Sequence, residues 1–202
     1  MATWSAFYPY TSIYTTGLPN PVIDHHIRLA CIDFCTRAMV WRQTLDDVPT
    51  VSGQRTYDFP FDTRQELVQL VSASLNGEDL DLVGLDAIDA KGFTDCRTQA
   101  LYAVDRLQFA LTELPAASGL TIKVKVTLKP SLTATGVSDD VFATYAQAIS
   151  KGALATLMLL PGETSSPGLS DRMSGQFEQA ITDAAFSPDR SFTRAPLRVR
   201  MI

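Results

Sequence analysis

Thr121-Ile122-Lys123-Val124-Lys125-Val126-Thr127-Leu128 is the stretch that decides the fold. Its apolar residues fall at every second position and its polar residues between them. That period-two pattern predicts a strand with one face on a core and one face in water. On either side of the region that holds it, the period changes. Upstream, Ile23, Ile27, Ala30, Cys31, Phe34, Ala38 and Trp41 recur at spacings of three and four, an apolar stripe on about five helical turns. Asn20 can cap that helix, Pro21 suits its first position, and Asp24 follows in the first turn. Downstream, Val141, Phe142, Tyr145, Ala148, Ile149, Gly152, Ala155 and Leu159 form a second stripe. It opens on Ser138, Asp139 and Asp140, which favour a helix N-terminus, and Pro161-Gly162 ends it. Leu169, Met173, Phe177, Ala180, Ile181 and Ala184 form a third.

The residues between the first two helices read as β structure. Tyr57, Phe59 and Phe61 alternate. Leu67 to Leu75 runs into Asn76-Gly77, a dipeptide that favours the tight turn of a hairpin, and Glu78 to Val83 returns. Leu107 to Leu111 and Leu120 to Leu128 are further strands, with Ala116 to Gly119 as a hairpin loop between them. Residues 84–104 read mostly as loop. The expected class is α+β. An antiparallel bundle of three main helices (about 21–42, 139–160 and 168–186) carries an inserted antiparallel β-sheet at about 50–129. Residues 21–190 form one domain. Residues 1–20 make an extended, aromatic N-terminal arm, and residues 191–202 a C-terminal β arm in which Leu197, Val199 and Met201 alternate with Arg198, Arg200 and Ile202. A short terminal strand with few neighbours of its own is suited to pairing with another chain.

The chain's 202 residues, 46% hydrophobic and 19% charged, are enough for a core without disulfides and exclude a wholly disordered chain. Its net charge of −5 argues against holding nucleic acid by bulk charge. The cysteines Cys31, Cys35 and Cys96 are odd in number and read as reduced thiols. Met1 to Tyr14 lacks the basic and apolar regions of a signal peptide, and Gly152 to Pro161 is far too short to span a bilayer, so the expectation is a soluble protein made in a cytoplasm.

The residues offer no catalytic constellation. No nucleophile elbow, dinucleotide fingerprint or phosphate loop is present, and Lys151-Gly152 lies within a helical stripe, where a glycine serves close packing. His25 and His26 beside Cys31 and Cys35 invite a metal. Adjacent histidines diverge by about 100° on a helix, however, and no second ligand pair follows at zinc spacing. Asp46-Asp47, Asp79 with Asp81, and Asp139-Asp140 read as caps and solvated turns. The expectation is therefore no enzyme, no metal and no cofactor. Lys123, Lys125 and Lys129 form a small basic face, read as a solvated face, a protein contact or a nucleic-acid wall. Trp4 and Trp41 read as core or interface anchors.

Several runs resemble the head-to-tail adaptor (connector) proteins of tailed bacteriophages. Asn20-Pro21-Val22-Ile23-Asp24-His25-His26-Ile27-Arg28-Leu29-Ala30-Cys31-Ile32-Asp33-Phe34-Cys35-Thr36-Arg37, closed by Trp41, is similar to their first helix. Tyr57-Asp58-Phe59-Pro60 resembles the strand after it. Tyr145 to Met158, ending Leu160-Pro161, resembles their Ile-x-x-Gly-Ala-Leu helix. Phe177-Glu178-Gln179-Ala180-Ile181 and Arg198-Val199-Arg200-Met201-Ile202 also fit. The likeness covers about residues 20–202, except 84–106, and rests on packing patterns.

The resemblance implies a virion structural protein of the head–tail neck, present in the host cytoplasm during assembly. It implies a ring, usually of twelve copies, docked beneath the portal protein. The ring would extend the DNA channel and offer a platform to a tail tube, nozzle or stopper protein, with no membrane involved. Double-stranded DNA would pass through without sequence-specific binding. A ring of twelve would carry roughly −60, which disfavours DNA sticking to its wall. Phe192, Leu197, Arg198, Val199, Arg200, Met201 and Ile202 are the portal-interface candidates. Trp4, Phe7, Tyr8, Tyr10, Lys123 and Lys125 are candidates for contacts with sister subunits or the tail. The competing readings are a neighbouring tail-completion or stopper protein, a binding module using the Lys123/Lys125 face, and a small cytosolic hydrolase or transferase.

Overall fold

The computed structural model describes residues 1–86, 99–162 and 165–186. Its elements run β1 (Ala2–Thr3), a 3₁₀ turn (Trp4–Phe7), α1 (Tyr8–Thr11), α2 (Asn20–Ala38), β2 (Arg42–Thr44), β3 (Val48–Pro49), β4 (Thr56–Asp58), β5 (Gln65–Leu75), β6 (Glu78–Leu82), β7 (Ala100–Ala103), β8 (Gln108–Leu111), β9 (Thr121–Pro130), β10 (Gly136–Val137), α3 (Asp139–Leu157) and α4 (Pro167–Ala185).

The dominant unit is a curled eight-stranded sheet, ordered β2-β9-β5-β6-β7-β8-β4, with β3 also paired to β9. This corrects the expected architecture. The protein is mixed α/β built around a large sheet, not a three-helix bundle with a small antiparallel insertion. Nor is the sheet wholly antiparallel, since β6 and β7 pair in parallel. The alternating stretch is β9, its spine. Ile122, Val124, Val126 and Leu128 are all buried on one face, while Lys123 and Lys125 stand exposed on the other. Irregular pairing between Leu67 and Gln69 and again between Leu70 and Ser72 bends β5 along β9, as bulges do by adding local twist.

Two hairpin readings part company. Asn76 and Gly77, at φ 51° and 90°, make the turn between β5 and β6. Two successive positive φ values are what a type I′ hairpin requires. Ala116 to Gly119, by contrast, joins strands that do not pair: β8 lies between β7 and β4, and β9 between β2 and β5. Part of the stretch read as loop is β7, which β8 covers.

The first helix ends at Ala38, earlier than its stripe suggests, with Met39 left-handed at φ 53°. Trp41 keeps the stripe's burial from outside the helix, because its carbonyl accepts a bond from the Leu128 N–H at 2.8 Å. Strand pairing overrides helix periodicity there. α2 packs on β9 and carries α3 and α4 on its other side. The core is continuous across these layers, from Val124 and Val126 through Cys31 and Phe34 to Ile149 and Phe177.

Residues 1–20 are not an extended arm. β1 pairs with β10, Trp4 and Phe7 are buried, and the Met1 ammonium meets Asp139 at 2.8 Å. The segment is a strap across α2 and α3. Its aromatics had nothing local to bury against, so they filled the body's own core. Residues 191–202 lie outside the described residues.

Candidate assembly surfaces

Three regions gather the candidate residues: the N-terminal strap, the groove where the helices meet, and the open face of the sheet with its edge.

In the strap, the Trp4 indole donates from Nε1 to the Ala134 carbonyl at 2.8 Å, and the Arg28 guanidinium lies 5.9 Å from its ring centre. Phe7 meets Phe142 edge-on, with centroids 4.9 Å apart. Both rings are core anchors and present no surface to a neighbour. Tyr8 donates to Asp24 at 2.8 Å, and burial together with that carboxylate pushes its phenol up to about 12. Tyr10 is exposed and shares its stretch of chain with exposed Ile13 and Tyr14, so the aromatic surface here is smaller than the sequence suggests.

At the helix junction, Gly152 of α3 faces the Phe177 ring of α4, whose atoms would lie 2.7 to 2.8 Å from an added Cβ. Close packing is therefore what Lys151-Gly152 does. Phe34 lies 5.1 Å from Tyr145 and 6.0 Å from Phe177, centroid to centroid. Arg37 forks onto both oxygens of Glu178 and reaches Asp33 at 3.3 Å. Bonding to Arg37 holds the Glu178 carboxyl below its usual range. A groove of about 310 Å³ lies over this junction, with Leu29 and Phe177 among its walls.

Packing accounts for Cys31, Cys35 and His26 among the sequence's metal and thiol candidates, while His25 is exposed. Cys31 and Cys35 are buried, and burial raises the Cys31 thiol well above its ordinary value, which makes it a poor nucleophile. His26 Nδ1 meets Thr156 Oγ1 at 2.8 Å, tying α2 to α3. Among the described residues no His, Cys, Asp and Glu gather in a group that could hold a metal, and no helix is long and apolar enough to cross a membrane. Cys96 lies outside the described residues.

On the open face, cross-strand register aligns Thr44, Lys125 and Ser72, and next to them Lys123, Ser74 and Asp79. Lys123 reaches Asp47 at 3.7 Å, and Lys129 reaches Glu66 at 3.5 Å. The face is thus of mixed charge. At its margin, β2 borders a cleft of about 370 Å³ shared with the first turn of α3, lined by Trp41, Gln43, Asp140 and Val141 among others. Sequence reasoning missed both groove and cleft. Each is made by elements far apart in the chain, and the available signals, Gly152 in an apolar stripe and the polar run Arg42-Gln43-Thr44, mark only one wall of each.

The portal-interface candidates Phe192, Leu197, Arg198, Val199, Arg200, Met201 and Ile202 all lie outside the described residues. No protein-family model matches this chain, and no curated protein matches it.

Proposed function

We propose that this chain is a head-to-tail adaptor of a tailed-bacteriophage virion, acting as a ring under the portal that continues the DNA channel and carries the tail. One observation supports the reading above the others. Three runs that carry the resemblance, separate in sequence, pack as one unit: Phe34 and Arg37 from the first, Gly152 from the second, and Phe177 and Glu178 from the third. Patterns that recur for packing reasons should meet in the fold, and these do. The fourth run also lies in the core, with Tyr57 and Phe59 against Phe109 at 5.7 and 5.0 Å.

The proposed work is mechanical and electrostatic. A chain of net −5 lines or surrounds a path for a polyanion without binding it. The folded strap and the α2–α3–α4 junction give each subunit a rigid body, and the loops and edges of the sheet are left for partners. Electron microscopy of the purified protein, alone and mixed with portal rings, tests the reading. Closed rings or collars on the portal support it. A protein that stays monomeric and never decorates a portal refutes it.

A further inference from the structure

We infer that the open edge of β2 and the cleft beside it receive residues 197–202 of a second copy of this chain as an added strand. The choice of a second copy rests on the ring reading above; the site itself rests on the sheet.

Natural sheets guard their edges, because unpaired N–H and C=O groups invite another chain. Two of the three terminal strands here are guarded. β3 ends in Pro49, which has no N–H to offer. On β4, the Gln54 side-chain amide covers the outward Thr56 carbonyl at 2.8 Å. Among the described residues β2 has neither device, and Arg42 is the one charge it carries. Leu128 N–H donates to Trp41 C=O at 2.8 Å, and Leu45 N–H donates to Val124 C=O at 2.9 Å. Residues 41, 43 and 45 therefore bond inward to β9. The alternation of an antiparallel ladder then turns the N–H and C=O of Thr44, and the C=O of Arg42, outward. All three residues of β2 are exposed.

The space beside this edge suits a strand. The cleft of about 370 Å³ separates β2 from the first turn of α3, with Trp41 and Val141 as apolar wall. A strand laid along β2 would present alternate side chains to the cleft. In residues 197–202 those are Leu197, Val199 and Met201, and Arg198 and Arg200 take the opposite face. Asp46, just past β2 and exposed, offers a carboxylate that stands in no salt bridge among the described residues.

Charge and reach agree with this occupant. Arg190, Arg194, Arg198 and Arg200 against Asp189 give residues 187–202 a charge of +3, which leaves −8 on residues 1–186 of the chain's net −5. Bodies of like charge repel, so a basic segment is the piece that can tether one to the next. The described fold stops at Phe186, just past α4. Because α3 and α4 are antiparallel, with Ser170 Oγ on Ala155 C=O at one end, α4 finishes at the end of the helical layer where α3 begins. Residues 187–196 can then span about 33 Å of linker.

Amide hydrogen exchange on the full chain across a dilution series tests this. The Thr44 amide should exchange at least about tenfold more slowly at high concentration than at low. That protection should vanish in Arg198→Asp/Arg200→Asp, which alters only residues beyond the described fold. Thr44→Pro should shift the sedimenting species toward monomer with far-ultraviolet circular dichroism unchanged; if it misfolds, the double arginine variant makes the same test. A Thr44 amide unprotected at every concentration overturns the inference, and so does protection that dilution leaves untouched. Rings that form normally in Arg198→Asp/Arg200→Asp while portal docking is lost overturn it too, and leave the adaptor reading standing.

Discussion

Gly136→Ala is the sharpest test of how the N-terminal strap is held. Gly136 sits on β10 opposite Thr3, and a Cβ built there runs into the Ala2 carbonyl oxygen, with the Ala2 carbonyl carbon at 2.9 Å and Thr3 Cα at 3.2 Å. These are backbone atoms, so no rotamer change can make room. β1 must move away, and with it the ladder that aligns Ala2 with Val137 and Thr3 with Gly136. Each backbone bond lost from that ladder is worth about 1 kcal/mol. The strap also seats Trp4 and Phe7, whose complete loss would cost ~3–5 kcal/mol apiece. A local retreat exposes only part of them and loosens the indole bond to Ala134. The expected cost is about 2–4 kcal/mol, which for a chain of this size lowers the melting temperature by roughly 4–16 °C. Trp4 emission should also shift to the red as the indole gains water, while Trp41, held by the Leu128 bond, should not change. Gly168→Ala is the control, because an added Cβ there meets nothing within 4 Å. A Gly136→Ala protein that melts within about 2 °C of the parent would show that the strap is not fixed by this contact.

Two further outcomes follow from the helix junction. Gly152→Val should destabilise by about 2–3 kcal/mol, because its Cβ would overlap the Phe177 ring, which must leave its packing against Phe34 to make room; Gly152→Ala should cost less, since better helix propensity offsets the clash by about 1 kcal/mol. Equal melting points for Gly152→Val and the parent would contradict the packing described here. Acid should loosen the same junction in two stages. Burial, then the charge of His25, lowers the His26 value below its usual 6.5, so its stabilising neutral form is present above that pH and lost as pH falls through the folded value. Bonding to Arg37 holds Glu178 below its ordinary 4.5, so that contribution persists above 4.5 and disappears as pH falls further. Melting temperature followed from pH 7 toward ~3 should decline, and Glu178→Gln should flatten only the lower limb. A Glu178→Gln profile parallel to the parent's throughout would remove the ion pair from the account.

How much of this could be read beforehand depended on how far apart the partners lie in the chain. β9 was legible because alternation is local: each Lys–Val step shows which face is wet. The β5–β6 hairpin was legible for a similar reason, since Asn76-Gly77 sets the turn by its own backbone preferences. α2, α3 and α4 carried their stripes with them. The errors fell where distant residues decide. Ala116 to Gly119 has hairpin composition, but its flanking strands find better partners in β4, β5 and β7. Residues 100–103 form a strand only because β8 covers them. Trp41 fits the helical stripe and is drawn off it by β9. The first twenty residues were read as an arm because no partner for their aromatics stands nearby in sequence. Their partners, Ala134 and Phe142, come more than a hundred residues later.

The same rule accounts for what was legible of the candidate surfaces. An adaptor of the kind proposed works through contacts that neither its own sequence nor its own fold completes. Local pattern could expose the ingredients: an alternating basic segment at 197–202, a lysine-bearing sheet face, and a small residue in a buried stripe. It could not show which edge stays open, because that depends on Pro49 blunting β3, Gln54 covering β4, and no described residue covering β2. Guarding costs little in sequence; one proline or one glutamine does it. An edge left bare among the described residues, where its two counterparts are guarded and beside a cleft walled by Trp41 and Val141, is the feature that the proposed strand addition would use. Within this fold, the use that needs no additional partner chemistry is a strand from an identical neighbour.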